Sequence, residues 1–207
     1  MNSTNLKRPD TRSSVFEAAA TAFAEYGFDG VSVDDIARIA QVNKAMIYYH
    51  FADKLALYRA VVGDMLVTVG AAVTEIAESS VTPGKKLDRF IDRFVRLADT
   101  RPWFPTLMLR EISAGAPHLD LETFAKIRTV FGAFARILAE GQATGGFRPI
   151  QPMLAYTTVI GPLLFNVARE RMAAVPGREH LPMFVDIPHA DLIAHVQLAA
   201  RRMLEPR

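Results

Sequence analysis

The side chains best placed for chemistry in this chain of 207 residues stand close together: Lys44, Ala45, Tyr48 and Tyr49, inside the run VNKAMIYYHF. Nothing in that set breaks a covalent bond. What it suits is contact with a polyanion. A lysine neutralises a phosphate, a tyrosine ring lies along a sugar or a thymine methyl, and its hydroxyl bonds phosphate. At helical spacing the four share the outward side of one short element, with Met46, Ile47 and Phe51 apolar enough to face inward. Asn43 caps that element, and Lys54 stands just beyond it at a position suited to a second phosphate. Ser32, with the N-termini of the short helices, adds further donors for phosphate.

Enzymatic chemistry has no comparable foothold. The sequence has no cysteine, no G-x-S-x-G, no Walker phosphate loop and no H-E-x-x-H. His118, His180, His189 and His195 lack metal-ligand spacing, and Asp191 with His195 reads as an i,i+4 surface pair. The expectation is therefore no catalytic site, no metal and no cofactor.

The elements that must position these residues read as helix throughout. A first helix over about 11–27 has Val15, Phe16, Ala19, Ala22, Phe23 and Tyr26 on one face, and Gly27 stops it. Ser32 and Asp35 form an S-x-x-D capping box that opens a short helix to about Ala40. Gln41-Val42 makes a tight connection, and a second short helix runs from the Asn43 cap to near Phe51. Asp53 caps a long helix over about 54–79, with Leu55, Tyr58, Val62, Leu66, Val69 and Val73 as its inner stripe. Pro83 starts the next helix, which Arg101-Pro102 breaks before helix resumes through WFPTLMLREI. Further helices follow over about 119–142, 151–172 (with Pro162 predicting a kink) and 188–204. The fold class is all-α, with about nine helices.

Two short helices joined tightly and braced by longer ones form a helix-turn-helix, which lays its second helix in the DNA major groove. From spacing alone, a small helical hairpin with inward-packed aromatics fits equally. Charge does not decide between them. The formal net charge is +2, and the first sixty residues balance seven Lys/Arg against seven Asp/Glu, so any basic contact must be placed locally. Half the residues are hydrophobic, enough for a full core. No apolar run reaches the 18 or so residues of a membrane span, and the first residues lack the apolar core of a signal peptide. With no cysteines, a cytoplasmic location without membrane contact is expected. The glycosylation triplet Asn2-Ser3-Thr4 reads as chance.

The run RSSVFEAAATAFAEYGFDGVSVDDIARIAQVNKAMIYYHFADKLALYRAVV resembles the N-terminal DNA-binding domain of the TetR/AcrR family of transcriptional regulators. The likeness spans some fifty positions, through AAATAFAEYGFDGVSV, DIARIA and MIYYHFADK in order. It implies a helix-turn-helix over about 33–52. It also implies DNA contact by Lys44, Ala45, Tyr48 and Tyr49, and phosphate contact by Lys54. The sequence departs from the family at Gln41, where glycine is usual, at Asn43, where serine is commoner, and at Ala52, where proline is frequent. Gln41 should therefore sit in a conformation that glycine favours.

The resemblance further implies two domains: a DNA-binding domain over 1–56 and a ligand-binding and dimerisation domain over 57–207. It implies a homodimer formed through the last two helices, a double-stranded DNA operator and a small-molecule effector. TLMLREISAGAPHLD is similar to members linked to efflux. In the second domain Trp103, Phe104, Met108, Phe131, Phe134, Tyr156 and Phe165 could line a pocket for a hydrophobic effector, or simply pack the core. Arg110 and Glu111 sit in an apolar run; either could orient a ligand by charge, but a structural role is the expectation. The last helix bears Leu192, Ile193, Val196, Ala199, Ala200 and Met203. The one before it bears Tyr156, Val159, Ile160, Leu163 and Leu164. Such apolar faces need cover, from their own domain or from a twin. The expectation is a ligand-responsive regulator, most often a repressor. The competing expectation is a helical carrier or scaffold whose helix-turn-helix no longer binds DNA, which Gln41 and the neutral N-terminal charge would fit.

Overall fold

A computed structural model describes residues 11–178 and 180–206; the triplet at 2–4 lies outside the described residues. Among them the chain forms nine α-helices, one 3-10 turn at Pro182–Phe184 and no strand. Helix α1 spans Thr11–Tyr26, α2 Val33–Ala40, α3 Lys44–His50 and α4 Lys54–Glu78. They are followed by α5 Pro83–Thr100, α6 Trp103–Ala114, α7 Leu121–Ala143, α8 Pro152–Ala173 and α9 His189–Leu204.

The ends of these helices follow local chemistry. The Ser32 hydroxyl accepts the Asp35 N–H at 3.1 Å and the Asp35 carboxylate accepts the Ser32 N–H at 3.1 Å, so the capping box closes. Asn43 Oδ1 accepts from Ala45 N, and Asp53 Oδ1 from Ala56 N. Gln41 adopts φ 55°, ψ 43°, the left-handed conformation that glycine would take at no steric cost, and Val42 N then closes on Ala37 O at 3.0 Å. The turn keeps its shape without the family's glycine.

Helix α4 is the axis of the molecule. It lies along α7 for most of its length and also packs on α1, α5 and α6. By length and composition it is apolar enough to cross a membrane, contrary to the expectation from sequence that no run is. Here half of that stretch is buried inside the protein, through Tyr58, Val62, Leu66, Val69 and Val73. Leu55, expected in the same stripe, is only half-buried. One contiguous core runs from Val15 in α1 to Leu204 in α9, so α4 belongs to both ends of the chain.

Three expected faces differ from the pattern. Tyr26 is exposed rather than part of the buried face of α1, and Met46 is 37% exposed rather than inward. Helix α8 runs unbroken through Pro162, which lies on its exposed side. On α9, Val196 and Ala200 are buried against the chain's own core, while Leu192, Ile193 and Met203 pack at its edge. The apolar face expected to need a partner is thus mostly covered within the chain. A different stripe stays uncovered: Leu154, Thr158, Phe165 and Met172 along α8, with Leu198 on α9. At the start of α9 the ion pairs join His189 to Asp99 at 2.8 Å and to Glu170 at 3.5 Å, in place of the expected Asp191–His195 pair.

Candidate functional site

Helix α3 has a single fully buried side chain, Ile47, which anchors it to the core together with Phe51 just beyond its end. The rest of the helix is exposed apart from the half-buried His50. Tyr49 is 80% exposed, Tyr48 48%, and Lys44, Ala45 and Met46 stand on the same open surface. Two tyrosines held so far out of a core by a helix of seven residues are placed to touch something else. Lys44 Nζ bonds Asp34 Oδ2 at 2.7 Å across the turn, and that bond raises its pKa. Both groups are solvated, so the pair is cheap to exchange for a phosphate.

The remaining residues of the expected interface have internal partners. Besides closing the capping box, the Ser32 hydroxyl donates to Asp35 Oδ2 at 2.6 Å. That hydroxyl, the Ser32 N–H and Arg38 together hold the Asp35 carboxyl down at about 2. Lys54 reaches inward rather than out: its Nζ donates to Phe28 O and Val31 O, both at 3.0 Å, and lies 4.1 Å from the centre of the Phe28 ring. It ties the start of α4 to the α1–α2 turn, leaving one N–H at most for a phosphate.

A second feature lies in the C-terminal part, a cavity of about 420 Å³ between α4, α5, α6, α7 and α8. Of the seven expected pocket residues, Phe104, Met108 and Tyr156 line it, and burial pushes the Tyr156 hydroxyl up to about 12. The other four do not. Trp103 packs edge-on against Phe16 of α1, and Phe134 is fully buried against Phe90. Phe131 packs behind Tyr156, and Phe165 is 65% exposed on the outside of α8. Aromatic character selects core and surface as readily as cavity.

Glu111, expected to be structural, is buried and hydrogen-bonded within the chain. Its side chain is 97% buried, with Oε1 accepting the Tyr58 hydroxyl and the His118 Nδ1–H, each at 2.7 Å. Burial, then the bond to Glu111, pushes the Tyr58 phenol far above its ordinary value, so it remains a donor. Glu111 also lines the cavity, the position that the less favoured reading, a residue facing a ligand, would require. On its other side a cleft borders Gly27, Phe28, Tyr58 and His118. There the His118 ring lies on Phe28 with centroids 4.2 Å apart, and Arg59 Nε fixes His118 O at 2.9 Å. The neighbouring Arg110 donates to Ala24 O and Glu25 O at the end of α1, where Gly27 turns with φ +78° and a Cβ would meet the guanidinium at 3.3 Å. A continuous run of contacts therefore joins the cavity wall, through Glu111, His118 and Phe28, to Lys54 and the helix-turn-helix. Among the described residues no group of three His, Cys, Asp or Glu is placed to hold a metal ion.

Known proteins match both halves of the chain. Residues 15–61 match the model of bacterial regulatory proteins of the tetR family, and 83–179 match the tetracyclin repressor-like C-terminal domain. The transcriptional regulator RutR of Escherichia coli is 26% identical over 141 residues, covering 68% of this chain. This chain spans 66% of that regulator's length. The A-factor receptor protein of Streptomyces griseus is 28% identical over 201 residues, covering 91% of this chain and 67% of that protein. Among solved structures, the fatty acid degradation regulator FadR of Bacillus halodurans superposes with TM-score 0.75 at 17% identity, over 97% of this chain and 100% of that one. The TetR-family regulator PfmR of Thermus thermophilus gives 0.73 at 24%, over 93% and 99%. At these identities the superpositions establish the fold.

Proposed function

The chain belongs to the tetR family of bacterial regulatory proteins, a transcriptional regulator and not an enzyme, and from that premise we propose that it is a ligand-released repressor. As a homodimer it binds a palindromic operator through Lys44, Ala45, Tyr48 and Tyr49, with Asn43, Ser32 and Lys54 shaping the surface that meets phosphate. The division of labour falls at about residue 56, with 1–56 reading DNA and 57–207 sensing and pairing. A cytoplasmic site of action follows from DNA as the partner. Control of efflux genes fits an apolar effector.

The observation that carries this reading is the run of contacts from the cavity to the helix-turn-helix. An occupant that shifts α6 moves Glu111 and His118. With them moves the Phe28 turn that Lys54 grips, and hence the angle at which α3 leaves the body. A coupling of about 1–3 kcal/mol lowers operator affinity some 5–150-fold. Dimerisation is supported by the uncovered stripe of Leu154, Phe165, Met172 and Leu198, which two-fold pairing would bury on both copies at once. Such pairing sets two recognition helices about 34–36 Å apart, one turn of DNA. Gln41 does not favour a carrier with a lapsed helix-turn-helix, since the turn closes around it.

The test is to recover DNA retained by the purified protein from a genomic library and measure its affinity against salt. Retention of a palindromic site, with a salt slope that falls by about one in Lys44→Ala, is the expected result. Retention of no sequence above background would leave only a carrier.

A further inference from the structure

Glu111 is the sole charged residue among those lining the cavity. Around it the lining is apolar, from Leu66 and Val69 to Met108 and Ile160, and its other polar side chains are the neutral hydroxyls of Tyr156 and Thr157. The Thr157 hydroxyl already donates to carbonyls of its own helix at 3.0 and 3.1 Å. The two oxygens of Glu111 are used unequally. Oε1 takes both strong donors, Tyr58 and His118 Nδ1, at 2.7 Å. Oε2 has only the His118 backbone N–H at 3.4 Å. A carboxylate offers about four acceptor sites, so Oε2 retains capacity for a further donor. In surroundings this apolar a donor reaching it is rewarded strongly, and most strongly if the donor carries positive charge. A second carboxylate brought to the same wall meets like charge and finds no cation among the lining residues.

We propose that Glu111 selects the effector by its polar end, favouring apolar molecules that terminate in a protonated amine over alcohols, and alcohols over carboxylates. This rests on the cavity being the effector site. It also places the effector's head at the one lining residue that touches both Tyr58 of α4 and His118 beside the Phe28 turn. Recognition and release thereby share one carboxylate: a donor drawn to Oε2 competes with the His118 N–H that now holds it.

The experiment is calorimetric titration of the full-length protein with three probes of one shape: 1-naphthylmethylamine, 1-naphthylmethanol and 1-naphthoate. The amine should bind about tenfold tighter than the alcohol, the difference between a charged and a neutral hydrogen bond, with the carboxylate weakest. Glu111→Gln, which keeps an acceptor for Tyr58, should bring amine and alcohol to within about threefold. The Met108→Trp variant, which fills the cavity, should abolish binding of all three. Equal affinities that all vanish in Met108→Trp would overturn the head-group assignment and leave the effector cavity standing. An amine preference surviving in Glu111→Gln would overturn it too. Binding untouched by Met108→Trp, or no binding of any probe, would overturn the effector cavity and this assignment with it.

Discussion

Helix α3, the proposed recognition helix, and the proposed effector cavity are built in opposite ways. Helix α3 is seven residues long, anchored by one buried isoleucine and capped by its own neighbour in sequence, and it turns its distinctive side chains to solvent. The cavity draws its walls from five helices spread between Leu66 and Leu164, and its one charged residue is buried and bonded to partners 53 and 7 positions away in sequence. A surface that must meet a regular polymer can be made from one contiguous stretch. A container for a small molecule must be enclosed, and enclosure needs elements distant along the chain. The two therefore fail differently: damage to the first should alter binding and spare stability, whereas damage to the second should reach across the molecule.

The largest expected effect tests whether the contrast holds between two copies as well as within one. Phe165→Glu places a charge on the uncovered stripe of α8. It should convert the sedimenting species from dimer to monomer while leaving the helical content unchanged. Because the second half-site then gains nothing from the first, affinity for a palindromic operator should fall by about a hundredfold or more. An unchanged dimer would put the pairing face elsewhere.

Next in size are the tyrosines. Tyr48→Ala and Tyr49→Ala each remove an exposed side chain that the core does not use. Operator affinity, measured by fluorescence anisotropy, should drop by about 1–3 kcal/mol for a base-directed contact. Melting should shift by less than about 0.5 kcal/mol. A large loss of stability with either variant would return that ring to a packing role and erase the contrast.

The smallest effect lies in the capping box. Ser32→Ala should cost about 1 kcal/mol of stability, read by chemical denaturation. Its pH dependence has a definite sign. The folded Asp35 carboxyl is held near 2, below its ordinary 3.8, so its contribution is present above about pH 4 and is lost as pH falls towards 2. The gap between wild type and Ser32→Ala should therefore narrow over that window. A constant gap would mean that the Asp35 arm of the box adds nothing.

How far the sequence revealed each region follows from the same contrast. The nine helices, the Ser32 and Asn43 caps and the strained Gln41 turn were legible because each is decided within a few residues, by periodicity, a capping side chain or a backbone preference. So was the outward placement of Tyr48 and Tyr49. Met46 was misplaced because a helix of two turns on a surface need not bury every apolar residue. Phe104, Met108 and Tyr156 at the cavity could not be told from Trp103, Phe131, Phe134 and Phe165, since a ring's fate depends on which helix crosses it. Whether Glu111 packs structurally or faces a ligand could not be decided for the same reason, and neither could the inward turn of Lys54 to Phe28. Both depend on contacts between elements far apart in sequence.

The central claim is that the cavity and the helix-turn-helix are one thermodynamic unit joined through Glu111, His118 and Phe28. The most direct test takes any compound that calorimetry places in the cavity and measures operator affinity at rising concentrations of it, in wild type and in His118→Ala. Wild-type affinity should fall some 5–150-fold over the range in which the compound binds, and saturating operator should weaken the compound's own binding by the same factor. In His118→Ala the compound should still bind while that factor shrinks towards one. Cavity occupancy that leaves operator affinity unchanged in wild type, or a factor undiminished in His118→Ala, would contradict the account.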